Sequence, residues 1–259
     1  MIDLHMEQIG AFLPLIIIIL IIFLIIYFIR KKGKGKSVDL GLSINDYKDA
    51  KKLNNIFNVS LYILLIVWIS VFLSDLIYAY TFNLDNYSLV DLIQILLAGI
   101  YTISYFIVFF IGGMWIYRIN YNARCLGAKE MRYTPGWSVG WYFIPIVHLW
   151  KPYQAMKEIY LKTYNLNIEV SNINNVPGFF PLWWTFWLLG TFAGQIQFRL
   201  GTALWTSNSL DLWQLSNFVA VFTDILLILN WIFFYKIFKS IILMQEYLYN
   251  ESKIAKTTQ

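Results

Sequence analysis

The sequence predicts an all-α, polytopic helical membrane protein. Five transmembrane helices form an N-terminal anchor plus a four-helix body, with a re-entrant or interfacial cytosolic segment between two of them. Three observations carry this. The chain is 59% hydrophobic and only 14% charged, against about a quarter charged in an ordinary soluble domain. Five apolar runs, at 11–29, 56–80, 91–116, 179–200 and 218–240, match the roughly 20 helical residues that cross a bilayer core. Finally, all but one of the 20 Lys and Arg residues fall on one side of the topology those runs define.

The run Ala11 to Ile29 is too long for the apolar part of a signal peptide and has no basic stretch ahead of it. Arg30, Lys31, Lys32, Lys34 and Lys36 follow it immediately, so residues 1–30 are expected as an anchor with its N-terminus outside. Residues 31–55 form a basic cytosolic linker. The body, 56–245, holds four helices and a cytosolic insertion at 117–178, and 246–259 is a cytosolic tail. Each span must be helical, because an open sheet would leave backbone donors and acceptors unpaired in lipid. The one basic residue on the outer side is Arg199. This pattern predicts a multi-pass membrane protein with its C-terminus in the cytosol.

The insertion is the unusual segment. Its middle, Trp137 to Trp150, is apolar and aromatic but would reach only about 21 Å as a helix, and Pro145 interrupts it. Bounded by Pro135-Gly136 and Pro152 and flanked by basic residues, the stretch 135–152 is expected to enter the cytosolic half of the membrane and return. Residues 151–165 then read as an amphipathic helix. Tyr153, Met156, Tyr160 and Tyr164 share one face, while Lys151, Gln154, Lys157, Glu158 and Lys162 are left for water or headgroups.

Through this stretch the residues run Asn122-x-Arg124-x-Leu126-Gly127-Ala128, then Pro135-Gly136-Trp137 and Gly140-Trp141. Phe143-Ile144-Pro145 follows, and Leu149-Trp150-Lys151-Pro152-Tyr153 closes the series. This order of Asn, Arg, Gly, Trp and Pro resembles the bacterial membrane family catalogued as domain of unknown function 4328. Two positions depart from that family's pattern: Lys151 stands in place of Arg and His148 in place of Asn. Lys lacks the planar fork that Arg presents to phosphate. The resemblance implies kinship of fold over the four-helix body and implies no activity.

The chemistry available is sparse. His5 and His148 fall on opposite sides of the membrane and Cys125 is the only cysteine, so no metal site, disulfide framework or His-based triad is expected. The sequence has no His-Glu-x-x-His, Gly-x-Ser-x-Gly or phosphate-loop motif. The expectation is therefore a protein that is not an enzyme and takes no cofactor. Lipid- or partner-binding candidates are Arg118, Asn122, Arg124, Arg132, Trp137, Trp141, Trp150, Lys151, Tyr153 and Lys157, with the basic residues ringing the entry of the insertion at headgroup depth. Expected partners are membrane lipids with anionic headgroups on the cytosolic side, with a protein partner or homo-oligomer also open, and no nucleic acid. A second group, Asp75, Asp91, Arg199 and Asp224, lies within the spans at comparable depth and is expected to be an ion-paired polar cluster. Gly190 and Gly194 permit close helix approach, more for internal packing than for dimerisation. The leading expectation is a non-catalytic membrane-embedded adaptor or lipid-interacting scaffold. The alternative is a small channel or transporter with a path lined by Asp75, Arg199 and Asp224.

Overall fold

The computed structural model describes residues 37–81, 89–167, 173–204 and 209–257, and among these the regular structure is entirely helical. Four long helices, α1 (Lys51–Thr81), α2 (Leu89–Cys125), α5 (Phe179–Leu204) and α6 (Leu210–Thr257), alternate in direction. Between α2 and α5 lie the short α3 (Pro135–Gly140) and the amphipathic α4 (Lys151–Tyr164). The expected spans 56–80, 91–116, 179–200 and 218–240 all fall inside these helices. The N-terminal anchor, 1–30 with its span 11–29, lies outside the described residues.

Three of the helices, over Lys51–Tyr78, Leu92–Cys125 and Leu210–Lys256, are long and apolar enough to cross a membrane. Phe179–Leu204 has the length but is not among these three, and it carries Gln195, Gln197 and Arg199 in its second half. The helices overrun the hydrophobic stretches because nothing in the sequence stops them. The expected insertion at 117–178 begins only after Cys125, and the tail from residue 246 continues α6 to Thr257 without a break.

Helix ends follow local chemistry. Gly127, at φ 107°, closes α2: its N–H donates to the Arg124 carbonyl at 3.0 Å and the Ala128 N–H donates to the Ala123 carbonyl at 3.0 Å. This is the paired C-terminal cap that requires a left-handed residue. Thr134 caps α3, its hydroxyl accepting from the Trp137 N–H at 3.3 Å, with Pro135 in the first turn. The Ser209 hydroxyl accepts from the Leu212 N–H at 3.3 Å to start α6.

The core gathers at the basic end of the bundle, where Lys51, Cys125, Phe179 and the last turns of α6 lie. Phe57 of α1, Trp115 of α2 and Phe238 of α6 meet with ring centroids 5.2–5.3 Å apart, and Trp183 of α5 joins through Phe234 at 5.7 Å. The Trp231 indole N–H crosses from α6 to the Leu61 carbonyl of α1 at 2.8 Å. Gly190 lets α5 sit against Leu227 of α6, where an added Cβ would come within 3.3 Å, whereas Gly194 faces open space. Packing is the role found at Gly190. α4 turns Tyr153, Met156, Ile159 and Tyr160 into this core, so its apolar face is covered by protein rather than by headgroups.

Candidate functional site

Two features stand out: a hydrogen-bonded cap at the basic end and an apolar groove running from it between α1 and α2. The cap is built around Arg124. Its buried guanidinium donates to the Asn120 side-chain oxygen at 3.1 Å, to the carbonyls of Met131 at 3.2 Å and Tyr133 at 2.9 Å, and to the Val38 carbonyl. Asn120, one helical turn before it, donates to the Tyr133 carbonyl at 2.9 Å and to the Ser138 hydroxyl at 2.7 Å. Asn122 clasps the backbone of Lys48, donating to its carbonyl at 2.9 Å and accepting its N–H at 3.3 Å. Glu158 is 6% exposed, and its carboxylate accepts the N–H groups of Arg132 and Tyr133 at 3.0 Å and pairs with Arg132 Nε at 3.0 Å.

These contacts correct two expectations. Arg124 does not stand in a ring of exposed cations: a guanidinium that must end the α2 loop and hold the 131–133 turn has to face inward. Glu158 does not face water, because two backbone donors of that turn would otherwise be orphaned. Arg132 keeps an exposed edge while paired to Glu158, and Arg118 donates from Nη1 to the Asp49 carbonyl at 3.1 Å. Lys151 sits over the rings of Tyr133 and Trp141, 5.3 and 5.4 Å from their centroids. Burial and the nearby charge of Arg132 hold its ammonium below the usual lysine range. Lys157 is also engaged in the structure. Lys162 pairs with Glu130 at 3.8 Å.

Of the aromatic candidates, Trp137 is half exposed and stacks near Trp141 at 4.7 Å. Trp150 immediately precedes α4, and Tyr153 is buried against Trp184, with centroids 6.1 Å apart. The segment between α3 and α4 folds back on itself. Ile146 takes φ 66° and ψ −52°, and the Val147 N–H donates to the Pro145 carbonyl at 2.7 Å, a strained γ-turn for a β-branched residue. Phe143 meets Phe109 of α2 at 5.5 Å, His148 lies edge-on to Trp187 at 5.9 Å, and the Trp184 indole donates to the Leu149 carbonyl at 2.8 Å. Phe109 is nine residues, about 13 Å, along α2 from Arg118, which measures how far the segment reaches toward the middle of the helices.

The groove encloses about 690 Å³. One wall is the α1 stripe Leu53, Phe57, Leu61, Leu64 and Trp68, spaced at three and four residues. The other is Tyr105, Val108, Phe109, Gly112 and Ile116 of α2, with Val139, Tyr142 and Phe143 of the folded segment beside it and Trp183, Trp187 and Trp231 at the back. Gly112 leaves room for the Phe57 ring, which a Cβ would meet at 3.3 Å. Arg118 lines the end nearest the cap, and from Leu53 to Trp68 the groove follows α1 for about 22 Å. Sequence reasoning placed Arg118 and Trp141 near the insertion but did not see this groove, whose walls are brought together from five separate segments.

The polar cluster is partly assembled. Asp75 of α1 and Asp224 of α6 are 9% and 8% exposed and lie within hydrogen-bonding reach of each other. Gln94 of α2, which the sequence gave no reason to single out, donates to Asp75 Oδ1 at 2.8 Å. Arg199 is absent from the group: it is exposed on α5 and makes no ion pair with any described residue. The side chain of Asp91 lies outside what the structure describes. Among the described residues no three His, Cys, Asp or Glu side chains gather as a metal site. No curated protein and no solved structure matches this chain. Residues 79–242, from the end of α1 through most of α6, match the family described as Domain of unknown function (DUF4328), and the chain belongs to that family.

Proposed function

We propose that the protein is a non-catalytic, lipid-interacting scaffold of a bacterial cytoplasmic membrane, which holds a phospholipid acyl chain in the groove between α1 and α2. In this reading the basic end faces the cytosol, α5 and the run Ala11 to Ile29 complete five spans, and 135–152 is re-entrant, its Phe143 and Ile146 dipping into the cytosolic leaflet. The observation that carries it is the groove: about 22 Å of apolar wall along α1, ending at the cap beside Arg118. An acyl chain suits walls of that composition and length. Arg118 has five N–H donors, of which one is committed to the Asp49 carbonyl, leaving a cation where a lipid phosphate would sit. The cytosolic assignment is supported by the charge bias, with Lys48, Lys51, Lys129, Lys236 and Lys253 at the basic end.

The test is retention of lipid through a mild-detergent purification, quantified by phosphate assay and mass spectrometry. Wild type should retain phospholipid stoichiometrically. Val108→Trp, which fills the groove from α2, should lose most of it while its melting temperature stays close to that of wild type. Equal retention by a folded Val108→Trp protein overturns the reading. The conduit alternative draws no support from Arg199, which lies apart from the two aspartates.

A further inference from the structure

Asp75 and Asp224 form a second site, independent of the groove's occupant. Each is more than nine-tenths buried, and the two side chains face each other across α1 and α6. An ionised carboxylate only accepts hydrogen bonds. The described donors here reduce to Gln94 Nε2, which serves Asp75 Oδ1 at 2.8 Å, while Asp224 Oδ2 is buried with no donor. No described cation offsets the charge, since neither aspartate is ion-paired and Arg199 is exposed on α5. Among the described residues Tyr101 of α2 also lies beside Asp224, and it adds no positive charge. Two carboxylates in contact in an apolar bundle repel strongly. One carboxylic acid facing one carboxylate resolves both difficulties, because the added O–H supplies the missing donor and removes one of the two charges.

We infer that Asp75 and Asp224 bind one proton between them and exchange it with water at the Thr81 end of α1. Asp75 is six residues, about 9 Å, from that end, so the site lies near one face of the bundle rather than at its centre. The exchange breaks one carboxyl O–H bond, delivers the proton to water and leaves two carboxylates; nothing is oxidised or reduced. Tyr101 connects the pair to the groove, lying close both to Asp224 and to the buried indole of Trp68, which lines the groove's far end. Proton loss therefore places a second negative charge beside the wall of the groove, which gives the protein a means of sensing pH on that side of the membrane.

Two measurements on the full-length protein in lipid nanodiscs test this. Infrared spectra at neutral pH should contain a protonated-carboxyl C=O band that shifts in D₂O and disappears in both Asp75→Asn and Asp224→Asn. Thermal melts supply an arm that needs no variant. The folded pair holds a proton that the unfolded aspartates, with ordinary values of about 3.9, have released, so stability must fall as pH rises. Wild type should lose several degrees of melting temperature between about pH 6 and about pH 9, and either Asn variant, with a permanent N–H donor in place of the proton, should lose that dependence. A spectrum without the band, or a wild-type melt as flat as the variants', overturns the inference. So does a melting temperature that rises with sodium over potassium at fixed ionic strength and is abolished by Asp224→Asn, since the pair would then be a cation site.

Discussion

The two ends of the bundle treat buried charge in opposite ways. At the basic end Arg124 and Glu158 are enclosed, and each is surrounded by backbone groups that need what it offers: the guanidinium serves carbonyls of residues 38, 131 and 133, and the carboxylate serves the N–H groups of residues 132 and 133. At the other end the described residues give Asp75 one amide donor, from Gln94, and leave one oxygen of Asp224 with none. The first arrangement fixes loops in place. The second leaves chemistry unsatisfied, and it is there that a proton has a reason to bind. Buried charge is thus structural where the 131–133 turn must be held, and the inferred proton site lies where α1 and α6 meet.

The largest effect should come from breaking the cap. Arg124→Gln leaves several buried carbonyls without a donor and cannot span them, at a cost of about 3–5 kcal/mol. Arg124→Lys should recover part of the loss, because one ammonium reaches fewer acceptors than a planar fork. Thermal unfolding in detergent, followed by tryptophan fluorescence, measures both. Glu158→Gln should cost less, about 1.5–3 kcal/mol, since its amide oxygen still accepts while the ion pair to Arg132 and one acceptor are lost. If Arg124→Gln melts with wild type, the cap is not what holds the basic end, and the contrast between the two ends fails.

Much of this was legible in the sequence, and the residues show where legibility stops. The four helices of the body were readable because apolar runs long enough to span a bilayer have few alternative structures. The folded segment at 135–152 was readable because Pro135, Pro145 and Pro152 exclude one continuous helix. Arg124 was misplaced for a physical reason: basic residues near a membrane usually face headgroups, and only the spacing of Asn120 and Arg124, one turn apart on α2, hinted that both turn inward to the same loop. Glu158 was assigned to water from the periodicity of α4, which reports the apolar face but cannot see a backbone turn waiting above it. Asp75 and Asp224 were expected in one ion-paired cluster with Asp91 and Arg199, and the structure brings these two together without Arg199; Gln94 carried no signal because an uncharged residue in a span is common, and Arg199 carried a false one because equal depth does not fix which face of a helix a side chain occupies.

A smaller effect should sharpen the comparison from within the folded segment. Ile146 holds a backbone conformation that costs of order 1–3 kcal/mol for a side chain branched at Cβ, and its side chain is 70% exposed, so little packing would be lost with it. Ile146→Gly should therefore stabilise the protein by about 1 kcal/mol, the relief of strain exceeding the added entropy of a glycine in the unfolded chain. Should the melting temperature fall instead, burial of the Ile146 side chain in the leaflet outweighs the relief of strain, which a fall in nanodiscs larger than that in detergent would identify.

The smallest effect concerns Lys151, which lies between the rings of Tyr133 and Trp141 with its Nζ 3.5 Å from the Tyr133 hydroxyl. Lys151→Arg places a planar, more weakly hydrated cation over the same rings, and a stacked guanidinium gains about 0.5–1 kcal/mol at such a site. The pH dependence separates stacking from simple charge. Burial and the charge of Arg132 lower the lysine's affinity for its proton in the folded state. The folded protein thus releases that proton before the unfolded chain does, so the wild-type contribution to stability rises as pH climbs toward the ordinary lysine value of about 10.4. Arginine stays charged in both states and contributes no such rise. The advantage of Lys151→Arg over wild type should accordingly be greatest near neutral pH and shrink as the solution becomes alkaline. An advantage that stays constant with pH would assign the whole effect to ring stacking and remove the desolvation of Lys151 from the account of the cap.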